Sequence, residues 1–169
     1  MPRRPHSMIE SMASILILGG VLPLAVALVS QYAFDFFPCH FCLLQRYPYA
    51  VVIGCGVGSL LVPHMTRLWK LCVAVGALAF FATGVLGLYH TGIERGWVAY
   101  QGGCVADTSV GQTLDDLRDQ VFNAPRVSCS DAVLEFAGLS MASWNSLFAA
   151  GMIVLVLLQY REERRIHGQ

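Results

Sequence analysis

Four stretches of this chain, Met12 to Val29, Tyr47 to Val62, Leu71 to Tyr89 and Trp144 to Tyr160, carry no charged side chain and are built mainly from aliphatic and aromatic residues. The hydrocarbon core of a bilayer takes about 20 apolar residues of helix. Each run therefore reads as a membrane span, and the chain as an all-α membrane protein: a four-transmembrane-helix bundle forming one integral membrane domain over residues 1–169. The second run is the shortest and carries Pro48 and Pro63 at its ends, so it either thins the bilayer or borrows flanking residues. The first follows Arg3 and Arg4 as a signal peptide would, but its length and the lack of a small-x-small cleavage site favour a retained helix. With 56% hydrophobic and 13% charged residues, the composition excludes an ordinary soluble domain. At a formal net charge of zero, no nucleic-acid partner is expected.

The few charges set an orientation. Arg3 and Arg4 precede the first run, Arg67 and Lys70 lie between the second and third, and Arg161, Arg164 and Arg165 follow the fourth. The positive-inside rule puts these flanks, with both termini, in the cytoplasm. Residues of about 30–46 and 90–143 then form the opposite, periplasmic side, the second being a long loop between helices 3 and 4. Arg95, Arg118 and Arg126 lie in that loop but are outnumbered by acids. Four of the six cysteines, Cys39, Cys42, Cys104 and Cys129, fall in these two outward segments, where an oxidising compartment lets disulfides persist. Cys55 and Cys72 lie within or beside spans and read as apolar filler.

Cys39-His40-Phe41-Cys42 brings two sulfurs into one small volume, able to close a disulfide or grip a metal. A zinc site usually adds a second compact ligand pair, and a c-type haem needs histidine after the second cysteine, where this chain has Leu43; no metal is expected. A helix starting near Cys39 favours its thiolate, and Arg46, four residues after Cys42, adds positive charge on the same face. Two thiol pairs on one side of the membrane suggest a relay by disulfide exchange, although a static Cys104–Cys129 staple is the simpler alternative. A relay needs an acceptor. With no haem signature, iron-sulfur array or dinucleotide fold, the remaining candidate is a lipid-soluble two-electron carrier, a quinone. Arg46 suits it, because a charge kept near the membrane asks for a partner. His90, after the third run, either lines a pocket and moves protons or belongs to an aromatic belt. Two further expectations concern local structure. Residues 113–122 suit a short helix capped by Thr113, with Leu114, Leu117 and Val121 on one stripe. Gly54, Gly56 and Gly58 supply a Gly-x-x-x-Gly spacing for close helix approach.

Pro38-Cys39-x-x-Cys42-x-x-x-Arg46, His90, the pair Cys104 and Cys129, and Leu139-x-Met141-x-x-Trp144 together resemble the bacterial disulfide bond formation protein B family, DsbB. The resemblance runs from the first span to the fourth. It implies an inner-membrane four-helix bundle that reoxidises a periplasmic thioredoxin-fold oxidase such as DsbA and passes electrons to ubiquinone or menaquinone. It further implies that Cys104 meets the partner in a mixed disulfide, that Cys129 exchanges with Cys39, and that Cys42 faces the quinone as a thiolate stabilised by Arg46, with His90 nearby. His40 and Phe41 are not typical of the family. Two other readings differ in kind. A vitamin K epoxide reductase-like enzyme normally places its Cys-x-x-Cys near the last span, and a tetraspanin-like scaffold would use loop disulfides only for shape.

Overall fold

The computed structural model describes residues 5–99 and 135–167. Its elements are helix α1 (Pro5–Ala33), the short α2 (His40–Leu44), α3 (Arg46–Leu61), α4 (Arg67–Glu94), strands β1 (Glu135–Phe136) and β2 (Leu139–Ser140), and α5 (Met141–His167). Each apolar run forms the body of one long helix, because backbone groups in hydrocarbon must be satisfied within their own segment. Three helices, over Ser11–Ala33, Arg67–Glu94 and Met141–Ile166, are long and apolar enough to cross a membrane. The second run is again the short one. With 16 residues, α3 rises about 24 Å, less than the roughly 30 Å of a hydrocarbon core. The all-α expectation needs one amendment, the antiparallel β1–β2 hairpin. Ala137 and Gly138 at its tip have φ of 54° and 75°, the left-handed pair that a two-residue hairpin turn requires.

Met12, Leu16, Tyr49, Val52, Trp69, Val73, Phe80, Met152 and Val156, drawn from all four long helices, make the main buried cluster. Large apolar residues such as Leu18, Leu61, Leu78 and Leu158 are exposed on the outside, as a lipid-facing surface requires. Close helix approach is real, but not through the Gly-x-x-x-Gly pair. A Cβ at Gly54 would meet nothing within 4 Å, and one at Gly58 only the Cys72 sulfur at 3.4 Å. Gly56 is the contact: a Cβ there would come 2.7 Å from Ile17 Cγ1 and 3.1 Å from its backbone nitrogen. Residues four apart share a face, and the face carrying Gly56 is the one turned to α1. Cys55 and Cys72 are half-buried free thiols beside Gly76 and Gly58.

The two ends of the bundle differ. At one end the α3–α4 turn places His64 Nε2 3.2 Å from Glu163 Oε2, while Trp69 lies between His64 and Tyr160, ring centroids 4.6 and 6.3 Å away. At the other end α2, the C-terminus of α4, the hairpin and the N-terminus of α5 converge. Arg95 Nη2 donates to Gly138 O at 3.1 Å, Ser140 Oγ donates to Glu94 Oε2, and Trp144 Nε1 donates to Phe136 O at 3.0 Å. These bonds hold the hairpin over the bundle end.

Candidate active site

Pro38 and the extended backbone of Cys39 (φ −73°, ψ 171°) end the connection from α1 and make Cys39 the N-cap of α2. Its sulfur accepts the Cys42 backbone N–H at 3.2 Å, as capping oxygens do elsewhere. One turn brings Cys42 round, and the two free thiols face each other with sulfurs 2.8 Å apart. Cys39 is 3% exposed. Of the residues between them, Phe41 turns inward against Tyr89 and His90, with ring centroids 5.4 and 5.7 Å away, and His40 is exposed. Phe41 thus shields the sulfurs from one side.

The pair shares its charge unequally, and not as the helix N-terminus alone suggests. Cys42 is lowered from a thiol's usual 9.0 to about 7, first by the hydrogen bond from the Cys39 thiol and then by backbone hydrogen bonding and the Arg46 charge, against burial and Glu94. Cys39 is raised, by donating to Cys42 and by burial. The proton stays on Cys39 and the anion sits on Cys42, and both residues line the open cavity. Zinc-like chemistry remains within reach of the same atoms: Cys39, Cys42 and His90 offer donors within 4.8 Å of one another, a spacing that can grip a soft cation when both thiols are reduced.

His90 is 4% exposed, so it is not a solvated belt residue. Its Nε2 lies 3.5 Å from Cys39 Sγ and 3.7 Å from Glu94 Oε1, and its Nδ1 3.3 Å from Gln45 Nε2. Gln45 belongs to a polar network none of whose members is evident from the cysteine motif. Asn145 Nδ2 donates to Gln45 Oε1 at 2.8 Å and to Thr83 O at 3.3 Å, Thr83 Oγ1 donates to Gln45 O at 3.2 Å, and Tyr49 OH donates to Asn145 Oδ1. The available signal was the polar groups of Tyr49, Thr83 and Asn145 within three apolar runs, expensive to bury unless they are paired.

Arg46 opens α3 and turns toward α1, where Nη1 donates to Gln31 Oε1 at 2.7 Å and Nη2 to Ala27 O at 3.5 Å. Its influence on Cys42 is therefore by charge through space, with its hydrogen bonds spent on α1. Arg46, both cysteines, His90 and Glu94 line one mostly apolar cavity of about 470 Å³, walled by Leu22, Phe37, Trp144 and Phe148 among others. Pro23, inside α1, also lines it. Cys104, Cys129 and the helix expected over 113–122 lie outside the described residues.

A family model described as disulfide bond formation protein DsbB matches residues 10–159. Curated relatives named disulfide bond formation protein B include one from Dechloromonas aromatica, 29% identical over 87% of this chain and 90% of its own length. Another, from Pasteurella multocida, is 26% identical over 90% of this chain and 86% of its own. An uncharacterized protein of Rickettsia prowazekii is 22% identical over 84% of this chain and 82% of its own.

Proposed function

The chain belongs to the DsbB family, membrane proteins of disulfide bond formation, and from that premise we propose that it is an inner-membrane oxidoreductase that reoxidises a periplasmic DsbA-like dithiol oxidase and delivers the electrons to a membrane quinone. One observation carries the reading: a Cys-x-x-Cys pair, one sulfur of which is held as the more acidic, opens into a mostly apolar cavity at the end of a membrane bundle. The residues fit a quinone. The walls suit a flat apolar ring, and Arg46 Nε is a buried donor without a hydrogen-bond partner among the described residues, which a carbonyl oxygen would satisfy. When bound, the quinone supplies the two-electron, two-proton sink.

The work of this chain's own residues follows. Two electrons arrive by exchange: a thiolate of the partner attacks the Cys104–Cys129 disulfide, a mixed disulfide forms at Cys104, and the partner's second thiolate displaces it. Cys129, now a thiolate, attacks the Cys39–Cys42 disulfide at Cys39 and releases Cys42 as the thiolate, the better leaving group because of its lower pKa. Cys104 then displaces Cys39, so that the loop disulfide is restored and Cys39 and Cys42 hold the two electrons. Arg46 holds anionic charge at the cavity, and His90 presents a ring nitrogen between Cys39 and Glu94. The topology goes with this reading: four crossings, both termini cytoplasmic, cysteines periplasmic, one membrane domain over the whole chain.

The test is to mix the purified protein with reduced partner oxidase and a soluble quinone and follow quinone absorbance. Stoichiometric conversion of partner dithiol to disulfide with quinone loss is expected. Partner oxidation without quinone loss rejects the acceptor, and no reaction with either rejects the enzyme in favour of a stapled scaffold.

A further inference from the structure

We infer that Asn145 and Gln45 are positioning residues that fix the tautomer of His90, so that the neutral ring carries its hydrogen on Nε2, toward Cys39 and the cavity. The inference deepens the reading above and rests on it for its functional meaning.

The orientation follows step by step from groups that cannot be reversed. A backbone carbonyl only accepts, so the Asn145 atom 3.3 Å from Thr83 O is the amide nitrogen. A second anchor agrees: Thr83 Oγ1 gives its single hydrogen to Gln45 O at 3.2 Å, so at 3.2 Å from Asn145 Nδ2 it accepts. Asn145 Oδ1 is then left to accept from Tyr49 OH. With Asn145 Nδ2 donating, the Gln45 atom 2.8 Å away is the carbonyl oxygen, which turns Gln45 Nε2 to His90 Nδ1 at 3.3 Å. An amide nitrogen only donates, so Nδ1 accepts and the ring hydrogen lies on Nε2. Nε2 lies 3.5 Å from Cys39 Sγ and 3.7 Å from Glu94 Oε1.

The consequence is directional. Neutral His90 donates toward the sulfur and the cavity; it does not take the Cys39 proton. It is placed to give a hydrogen bond to a quinone oxygen that gains negative charge, with Glu94 beside the same nitrogen. With Gln45, Tyr49, Thr83 and His90 buried and its members drawn from three helices and the α2–α3 junction, the network holds this orientation.

The full chain in detergent, labelled with ¹⁵N-histidine, tests it by NMR. Of its five histidines, His90 is assigned from the resonances lost in His90→Asn. Nε2 couples to both carbon-bound ring protons, which identifies it, and in the reduced protein it should show the shift of a protonated nitrogen, with Nδ1 unprotonated. In Gln45→Glu, a side chain that only accepts when ionised, the hydrogen should move to Nδ1; Asn145→Asp should do the same by reversing Gln45. His64, at the opposite end of the bundle, reports folding in the same spectra. Wild-type His90 with its hydrogen on Nδ1 overturns the inference, as does an unchanged tautomer in a folded Gln45→Glu variant; if neither variant folds, the wild-type spectrum still decides. Quinone turnover should fall about tenfold in Gln45→Glu, the scale of one lost charge-assisted hydrogen bond in a transition state, with the mixed disulfide at Cys104 still forming. A wild-type protein with the Nε2 hydrogen in place but no quinone reduction sinks the quinone reading alone.

Discussion

At the residue scale, a 2.8 Å contact between two sulfurs and the burial of one of them decide where the negative charge resides. Cys42, lowered to about 7, is ionised as pH rises through that value, whereas an ordinary thiol stays protonated until near 9.0. Alkylation of the reduced pair at Cys42 should therefore rise through pH 7. Cys39→Ala removes the hydrogen bond that is the largest cause of the lowering, so the midpoint should move up toward the ordinary value; Cys39→Ser, which keeps a donor, should fall between. A midpoint that ignores both substitutions would show that Cys39 has no part in acidifying its neighbour. Arg46 is the second residue whose role is measurable. Arg46→Ala should raise the KM for quinone strongly, by about tenfold or more if a charged hydrogen bond is lost, and leave mixed-disulfide formation at Cys104 intact. Lysine restores charge but not the planar fork, so Arg46→Lys should lie between. Unchanged quinone kinetics in Arg46→Ala would reduce the arginine to an anchor on Gln31 and Ala27.

Among the elements, α4 and α5 carry two separate polar clusters, the network near His90 and Asn145 and the His64–Glu163 contact at the other end. Along α4, from Arg67 to His90, helical rise separates them by about 35 Å. Glu163 is fully buried and takes hydrogen bonds from His64 and, at 3.2 Å, from Gln159 Nε2. Removing one partner of a buried pair costs about 3 kcal/mol or somewhat more, and His64→Ala should lower unfolding stability in detergent by roughly that amount. His64→Gln keeps a donor and should recover part of it. Reactivity of the Cys39–Cys42 pair should be unaltered in both, since nothing in the cluster touches it. A loss below 0.5 kcal/mol in His64→Ala would mean that Gln159 alone satisfies the carboxylate. The hairpin is the element least accessible to periodicity. It is two residues per strand, too short to show alternation, and is held by Arg95, Ser140 and Trp144 to their partners across the bundle end.

For the whole molecule, the proposed topology requires that the bundle end holding the cysteine pair face the periplasm and the end holding His64 and Glu163 face the cytoplasm. A periplasmic phosphatase fused after Lys70 should be inactive, and one fused within residues 105–120 active. The reverse pattern would remove the oxidising compartment on which the relay depends. Electron flow is tested in the same cells. In Cys129→Ser, Cys104 has no neighbour with which to close the loop disulfide and release the partner, so a mixed disulfide between Cys104 and the partner should accumulate; an adduct mapped to Cys39 instead would reverse the order of the two pairs.

The amino-acid sequence by itself determined the four long helices, because uncharged runs of that length have no other stable form in a bilayer, and it marked α3 as the short one. It also carried the family: Cys39, Cys42, Arg46, His90 and Trp144 form a combination legible without coordinates, and a DsbB family model matches residues 10–159. Only the tertiary structure decided which glycine makes the close contact, Gly56 and not the spaced pair around it, because spacing identifies a shared face but not which face meets a neighbour. It alone decided the direction of the Arg46 hydrogen bonds toward α1. The polar network was equally invisible: Gln45, Thr83 and Asn145 are far apart in sequence, and each is a polar residue in or beside an apolar run with no evident partner until helix packing sets its donor against the next residue's acceptor. The unequal charge on two cysteines three residues apart has the same origin. Local helix geometry favours an anion at Cys39, but the hydrogen bond that Cys39 gives to Cys42, and after it the burial of Cys39 beside Phe41 and His90, place the charge on Cys42, and burial is a property of the packed bundle.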